Sequence, residues 1–204
     1  MAKDARTQAI ADRNDFYTAI VVGALIVGWL VYSGIRDTVS LFENASAVTV
    51  TSRIPVQEIT AAIGSGATAS VDTATLVVQD VNSISIASLV IAIATHTLGL
   101  VATTALAILI CRRLLRGLVF DGVNVRLTLA MSMVLLVTAL GSAFFSKMGL
   151  NGVFAVLDSD FDFDRGYALL LDQVPLIAAS FALGVLVIVF RRGALLQRET
   201  EGLV

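Results

Sequence analysis

Four apolar runs separated by charge-bearing segments set the pattern of this chain: residues 16–35, 84–110, 127–145 and 174–190. A bilayer core takes about 20 apolar residues per helical span, so each run predicts a transmembrane helix. The first carries Trp29 and Tyr32 towards its far end, where amphipathic aromatics favour the membrane interface. The second is longer than a bilayer requires, which predicts tilt or a projection of its first turns out of the membrane. The fourth has Asp172 near its expected N-cap and Pro175 in its first turn, where a missing N–H is tolerated. Ala45-Ser46-Ala47 has the small-x-small form of a cleavage site. It lies well beyond the first run, and that run is long enough to span, so the segment reads as a retained anchor.

Residues 36–83 form the one substantial segment expected outside the membrane. Residues 46–52 and 69–81 are rich in β-branched side chains with partial alternation, which predicts two strands. Between them VQEITAAIG, residues 56–64, has the makings of a short helix ending in Gly64-Ser65-Gly66. The expectation is a small mixed α/β or β-hairpin cap. A segment this short, without a disulfide or metal, is marginal alone and should dock on the helices or on a second copy.

Composition agrees with the pattern. Of 204 residues 57% are hydrophobic and 15% charged, too apolar for an ordinary soluble domain. One cysteine, Cys111, leaves no intrachain disulfide. Charge then assigns the sides. Lys3, Arg6, Arg13, Arg112, Arg113, Arg116, Arg126, Arg191, Arg192 and Arg198 fall on one side, against Arg36, Arg53, Lys147 and Arg165 on the other. Loops rich in Lys and Arg stay cytoplasmic. The expected topology is therefore cytoplasmic residues 1–15, a basic loop at 111–126 and a tail at 191–204. The cap and an acidic loop at 146–173 lie outside. The fold class expected is an all-α, four-helix membrane bundle with an extracytoplasmic cap, located in the cell membrane.

Two stretches carry a resemblance. LLRGLVFDGVNVRLTLA at residues 114–130 has Gly117, Phe120 and then Asn124-Val125-Arg126, and FRRGALLQRETEGLV at residues 190–204 has Arg192-Gly193, Leu196-Gln197, Glu199 and Leu203-Val204. In these motifs the chain resembles a four-span bacterial membrane family catalogued as domain of unknown function 2975. The resemblance covers the second half well and the first half by layout. It implies an architecture rather than an activity. Members often lie beside a helix-turn-helix regulator, which implies such a protein as a cytoplasmic partner.

Candidate chemistry is sparse. His96, the one histidine, falls in the second run with Gly99, Leu100 and Thr103 on one helix face. An ionisable group at membrane depth points to proton sensing or relay. The alternative is a neutral imidazole acting as packing glue, bonded for instance to Ser132 or Thr138. Asp158, Asp160, Asp162 and Asp164 alternate with Phe161 and Phe163 and would place four carboxylates on one side of an extended loop. That suits a hard cation, although Arg165 stands where an EF-hand needs glycine, and a solvated acidic loop is the alternative. Arg112, Arg113, Arg116, Phe120, Asn124 and Arg126 form a candidate docking surface for anionic lipid headgroups or a cytoplasmic protein. The alternative is that the arginines only set orientation. Cys111 is a candidate for acylation or a plain apolar residue. Asn44-Ala45-Ser46 fits a glycosylation acceptor pattern. Gly23, Gly28, Gly141, Ser142 and the pair Ser180-xxx-Gly184 predict close helix approaches, within the bundle or in a homo-oligomer.

No cofactor site is expected, nor direct nucleic-acid binding, since the basic patch is small and pinned at the bilayer. An intramembrane enzyme would need convergent acids, histidines or nucleophiles, and one histidine does not supply them. The expected function is a non-enzymatic regulatory or sensory membrane protein that couples the membrane or the cap to a cytoplasmic partner. The other class is an oligomeric small-solute or ion transporter or channel, which fits less well because the runs lack charged or Gly/Pro-broken segments.

Overall fold

A computed structural model describes residues 2–43, 47–60, 68–119, 121–157 and 165–201. Four long apolar helices form a packed bundle: α1 (Ala2–Leu41), α2 (Ser83–Leu114), α3 (Gly122–Val156) and α4 (Arg165–Glu201). Between α1 and α2 lies a two-stranded antiparallel hairpin, β1 (Ala47–Thr60) and β2 (Thr68–Gln79). The chain divides into two compact units. One comprises Met1–Ser33, His96–Ala139 and Val174–Val204, the other Gly34–Thr95 and Leu140–Gln173.

In the first unit the helices meet through small residues. A Cβ added to Gly99 would lie 1.8 Å from Thr138 Oγ1, so α2 and α3 come closer here than any side chain on α2 would allow. Gly23 on α1 sits against Ile108 and Thr104 of α2. Gly184 faces Ser132, one turn from Ser180, as the small-xxx-small spacing predicts. Gly28, by contrast, faces open space.

The second unit holds the hairpin and its core. Val48 and Val50, two apart on β1, and Val78 on β2 point inward and join Leu41, Leu89, Leu150, Val153 and Phe154 in one buried cluster. The cap is thus docked, as its size requires. On the opposite face Thr51 and Thr75 pair their hydroxyls across the strands at 3.1 Å. Register runs from Ala47↔Gln79 to Arg53↔Thr73, slips, and resumes at Gln57↔Val71. Pro55 lies in the slip, where it has no N–H to give to a ladder.

Several boundaries differ from the sequence reading. The short helix expected from residue 56 is strand through Thr60, because Gln57, Glu58, Ile59 and Thr60 pair with β2; residues 61–67 lie outside the described ones. Helix α1 continues past Arg36 to Leu41, whose side chain is buried in the hairpin core. Helix α3 continues past Phe145 to Val156. Leu150, Val153 and Phe154, at i, i+3 and i+4, give that extension a face against the same core. There a Cβ on Gly152 would fall 1.7 Å from Ser85 Oγ, so α2 and α3 are again in close contact. Helix α4 starts at Arg165, which puts Asp172 and Pro175 inside the helix rather than at its start. Pro175 therefore leaves the Leu171 carbonyl without its helical donor.

Candidate functional site

The basic loop is a tightly bonded turn. Gly117, at φ 74°, adopts the left-handed conformation that ends α2. Its N–H donates to Leu114 O at 2.9 Å, and the Leu118 N–H donates to Arg113 O at 3.2 Å, the paired bonds of a Schellman cap. Asp121 opens α3, its carbonyl accepting from the N–H groups of Asn124 and Val125 at 3.0 and 3.3 Å. Asn124 sits at the centre, 0% exposed. Its Nδ2 donates to the carbonyls of Leu118, and of Val119 at 3.0 Å, while its Oδ1 accepts from Arg113 Nε at 2.9 Å. Arg113 also pairs with the Asp121 carboxylate. The asparagine thereby satisfies backbone groups that the turn leaves over.

Of the expected docking residues, Asn124 is buried and offers nothing to a partner, and half-buried Arg113 is committed to the turn. Asn124 reads as polar and loop-borne in sequence, and only folding turns its amide inward. Arg112, Arg116 and Arg126 are exposed, and Phe120 lies outside the described residues. Arg112, Arg113 and Arg116 line a groove of about 360 Å³ with Leu109, Val123 and Leu127.

At membrane depth the polar side chains are used between and along helices. Ser132 and Ser180 are buried and exchange hydrogen bonds: Ser132 Oγ donates to Ser180 O at 2.9 Å, and Ser180 Oγ to Ser132 O at 2.8 Å. The Ser132 hydroxyl proton is therefore directed to α4. Thr138 Oγ1 donates to Val134 O at 2.7 Å, and Thr103 Oγ1 to Gly99 O at 2.9 Å. His96 is half-buried on the α2 face that carries half-buried Gly99, Leu100 and Thr103. Cys111 is a free, half-buried thiol.

In the second unit, Arg53 of β1 donates from Nη2 to Asp172 Oδ1 of α4 at 2.6 Å, both side chains being nearly half exposed. No periodicity could have linked two residues 119 positions apart. Asp37, Ser40, Leu41, Thr49, Thr51 and Thr75 are among the residues lining a cavity of about 460 Å³. Asp158, Asp160, Asp162 and Asp164, and Asn44 to Ser46, lie outside the described residues.

The distribution of side chains defines the class. Leu25 and Trp29 on α1, Leu98 on α2, Val137 on α3 and Phe181 on α4 are each 66–75% exposed. Among the described residues the buried polar side chains are, Asn124 apart, all small hydroxyls: Ser52, Ser85, Ser88, Thr128, Ser132, Thr138, Ser142 and Ser180. Apolar residues outside and small hydroxyl residues within suit a lipid surround, where helices gain nothing from hiding apolar surface and associate through small and polar contacts. With candidate spans at Phe16–Leu41, Ser83–Leu114, Gly122–Val156 and Leu171–Leu196, the chain is a multi-pass integral membrane protein. No protein-family model, curated protein or solved structure matches it.

Proposed function

We propose that this is a non-enzymatic regulatory or sensory membrane protein that couples the hairpin cap to a cytoplasmic partner. The observation that carries the reading is the Arg53–Asp172 ion pair. It ties the cap to α4, a helix continuous from Arg165 to Glu201 that bears Arg191 and Arg192 beyond its apolar stretch. An exposed ion pair contributes about 0–1 kcal/mol, so a small molecule or protein bound at the cap can break it at little cost. Lysine and arginine asymmetry orients both termini to the cytoplasm, with the basic turn and the tail on the same side. The resemblance at residues 114–130 and 190–204 adds a helix-turn-helix regulator as the partner. Arg126, exposed on the first turn of α3, and Phe120 are the side chains assigned to docking it.

An affinity pull-down in mild detergent tests the reading. Wild type is expected to retain a soluble DNA-binding protein, and Phe120→Ala/Arg126→Ala to release it. Asp172→Asn should change the amount retained without changing the folded fraction. Absence of any cytoplasmic protein on the wild type, or indifference to all three substitutions, overturns it.

A further inference from the structure

We infer that the groove at the α2–α3 turn is a binding site for an anionic phospholipid, whose phosphate is held by Arg112 and Arg116 and whose acyl chain runs over Leu109, Val123 and Leu127. This does not depend on the regulatory reading above. Three features of the groove select the ligand.

The first is charge. Of the three guanidinium groups at the groove, Arg113 is bonded to Asp121 and Asn124. Among the described residues Arg112 and Arg116 form no ion pair and are exposed, so the groove keeps two uncommitted positive charges. Guanidinium planes suit phosphate oxygens, which they bind in bidentate fashion. A zwitterionic headgroup would add a cation to this positive site.

The second is amphipathicity. The remaining lining is aliphatic, and Leu109 and Val123 are 46% and 41% exposed. A free phosphate or nucleotide would leave that half of the groove in contact with water, whereas a lipid covers it. The third is position. Leu109, Arg112 and Arg113 sit at the end of a candidate span and Arg116 just beyond it, and Val123 and Leu127 at the beginning of the next. That is headgroup level, where basic pockets between helices meet anionic lipids. The Gly117 cap and the hydrogen bonds of Asn124 join the two walls within the protein itself.

The test is thermal unfolding of the full-length protein in neutral detergent, titrated with phosphatidylglycerol, with phosphatidylcholine of the same chains, or with inorganic phosphate. Phosphatidylglycerol is expected to raise Tm saturably, and the other two to leave it unchanged. Arg112→Gln/Arg116→Gln should bind phosphatidylglycerol roughly 30-fold more weakly, equivalent to about 2 kcal/mol, while keeping the lipid-free Tm. Equal protection by phosphatidylcholine, full protection by inorganic phosphate alone, or unchanged affinity in the double variant each overturns the inference. A double variant that releases a bound cytoplasmic protein yet binds the lipid normally would make the groove a protein surface. Should the double variant not fold, wild type is photolabelled with phosphatidylglycerol carrying a diazirine in its acyl chain. Label concentrated on Leu109, Val123 or Leu127 supports the site, and label spread evenly over outward residues such as Leu25 and Phe181 overturns it.

Discussion

Replacing Asn124 by alanine should be the most damaging single change in the basic turn. The side chain is fully buried and makes three hydrogen bonds, to Arg113, to the Leu118 carbonyl and to the Val119 carbonyl. Each contributes about 1 kcal/mol net, and leaving buried partners unsatisfied raises the cost, so the expected loss is about 3–5 kcal/mol. Alanine also frees Arg113 Nε while leaving its pair with Asp121 intact, so the guanidinium keeps a charge partner. The assay is denaturant unfolding in detergent followed by far-ultraviolet circular dichroism, with Arg126→Ala as control. Arg126 is exposed on the same turn and should change stability by less than about 0.5 kcal/mol. A double-mutant cycle with Arg113→Ala isolates the shared hydrogen bond, for which a coupling above about 0.5 kcal/mol is expected. Loss of under about 1 kcal/mol in Asn124→Ala would refute the reasoning, since it would mean that water already serves those carbonyls.

Three further outcomes follow from the packing. Gly99→Ala should destabilise by about 1–3 kcal/mol through its clash with Thr138, and Thr138→Ala should recover part of that loss in the double variant, measured by the same unfolding assay. Ser132→Ala and Ser180→Ala each remove one interhelical hydrogen bond and should cost about 0.6 kcal/mol apiece. A loss several times larger in either would mean that the pair does more than join α3 to α4. Arg53→Ala or Asp172→Asn should cost no more than about 1 kcal/mol at low salt, and the difference from wild type should fade at high salt because the pair is solvent-accessible.

The motif residues in the turn show where sequence reading succeeds and where it stops. Gly117, Asn124 and Arg126 stand out as a group in the sequence, but their roles separate only in the fold. Gly117 is needed because a left-handed residue ends α2. Asn124 is needed because the turn leaves two carbonyls without donors. Arg126 presents an exposed side chain. Similarly, Ser132 offered itself as a partner for His96, because both are polar residues in apolar runs. Its hydroxyl proton goes to a serine on α4, a pairing that depends on how α3 and α4 cross rather than on any spacing along the chain.

Hydropathy was enough for the four membrane-length helices and the apolar lengths that make them spans. Those properties follow from composition over windows of about 20 residues, and the bilayer imposes them one segment at a time. Tertiary structure decided where the helices end, because Leu41, Leu150, Val153 and Phe154 gain burial only when a hairpin lies over them. It likewise extended β1 through Thr60, because its residues gain ladder hydrogen bonds only beside β2. The Arg53–Asp172 contact and the grouping of three arginines with three aliphatic residues also belong to the fold. These features depend on contacts between segments far apart in the chain, and local pattern carries no record of which distant surface a side chain will meet.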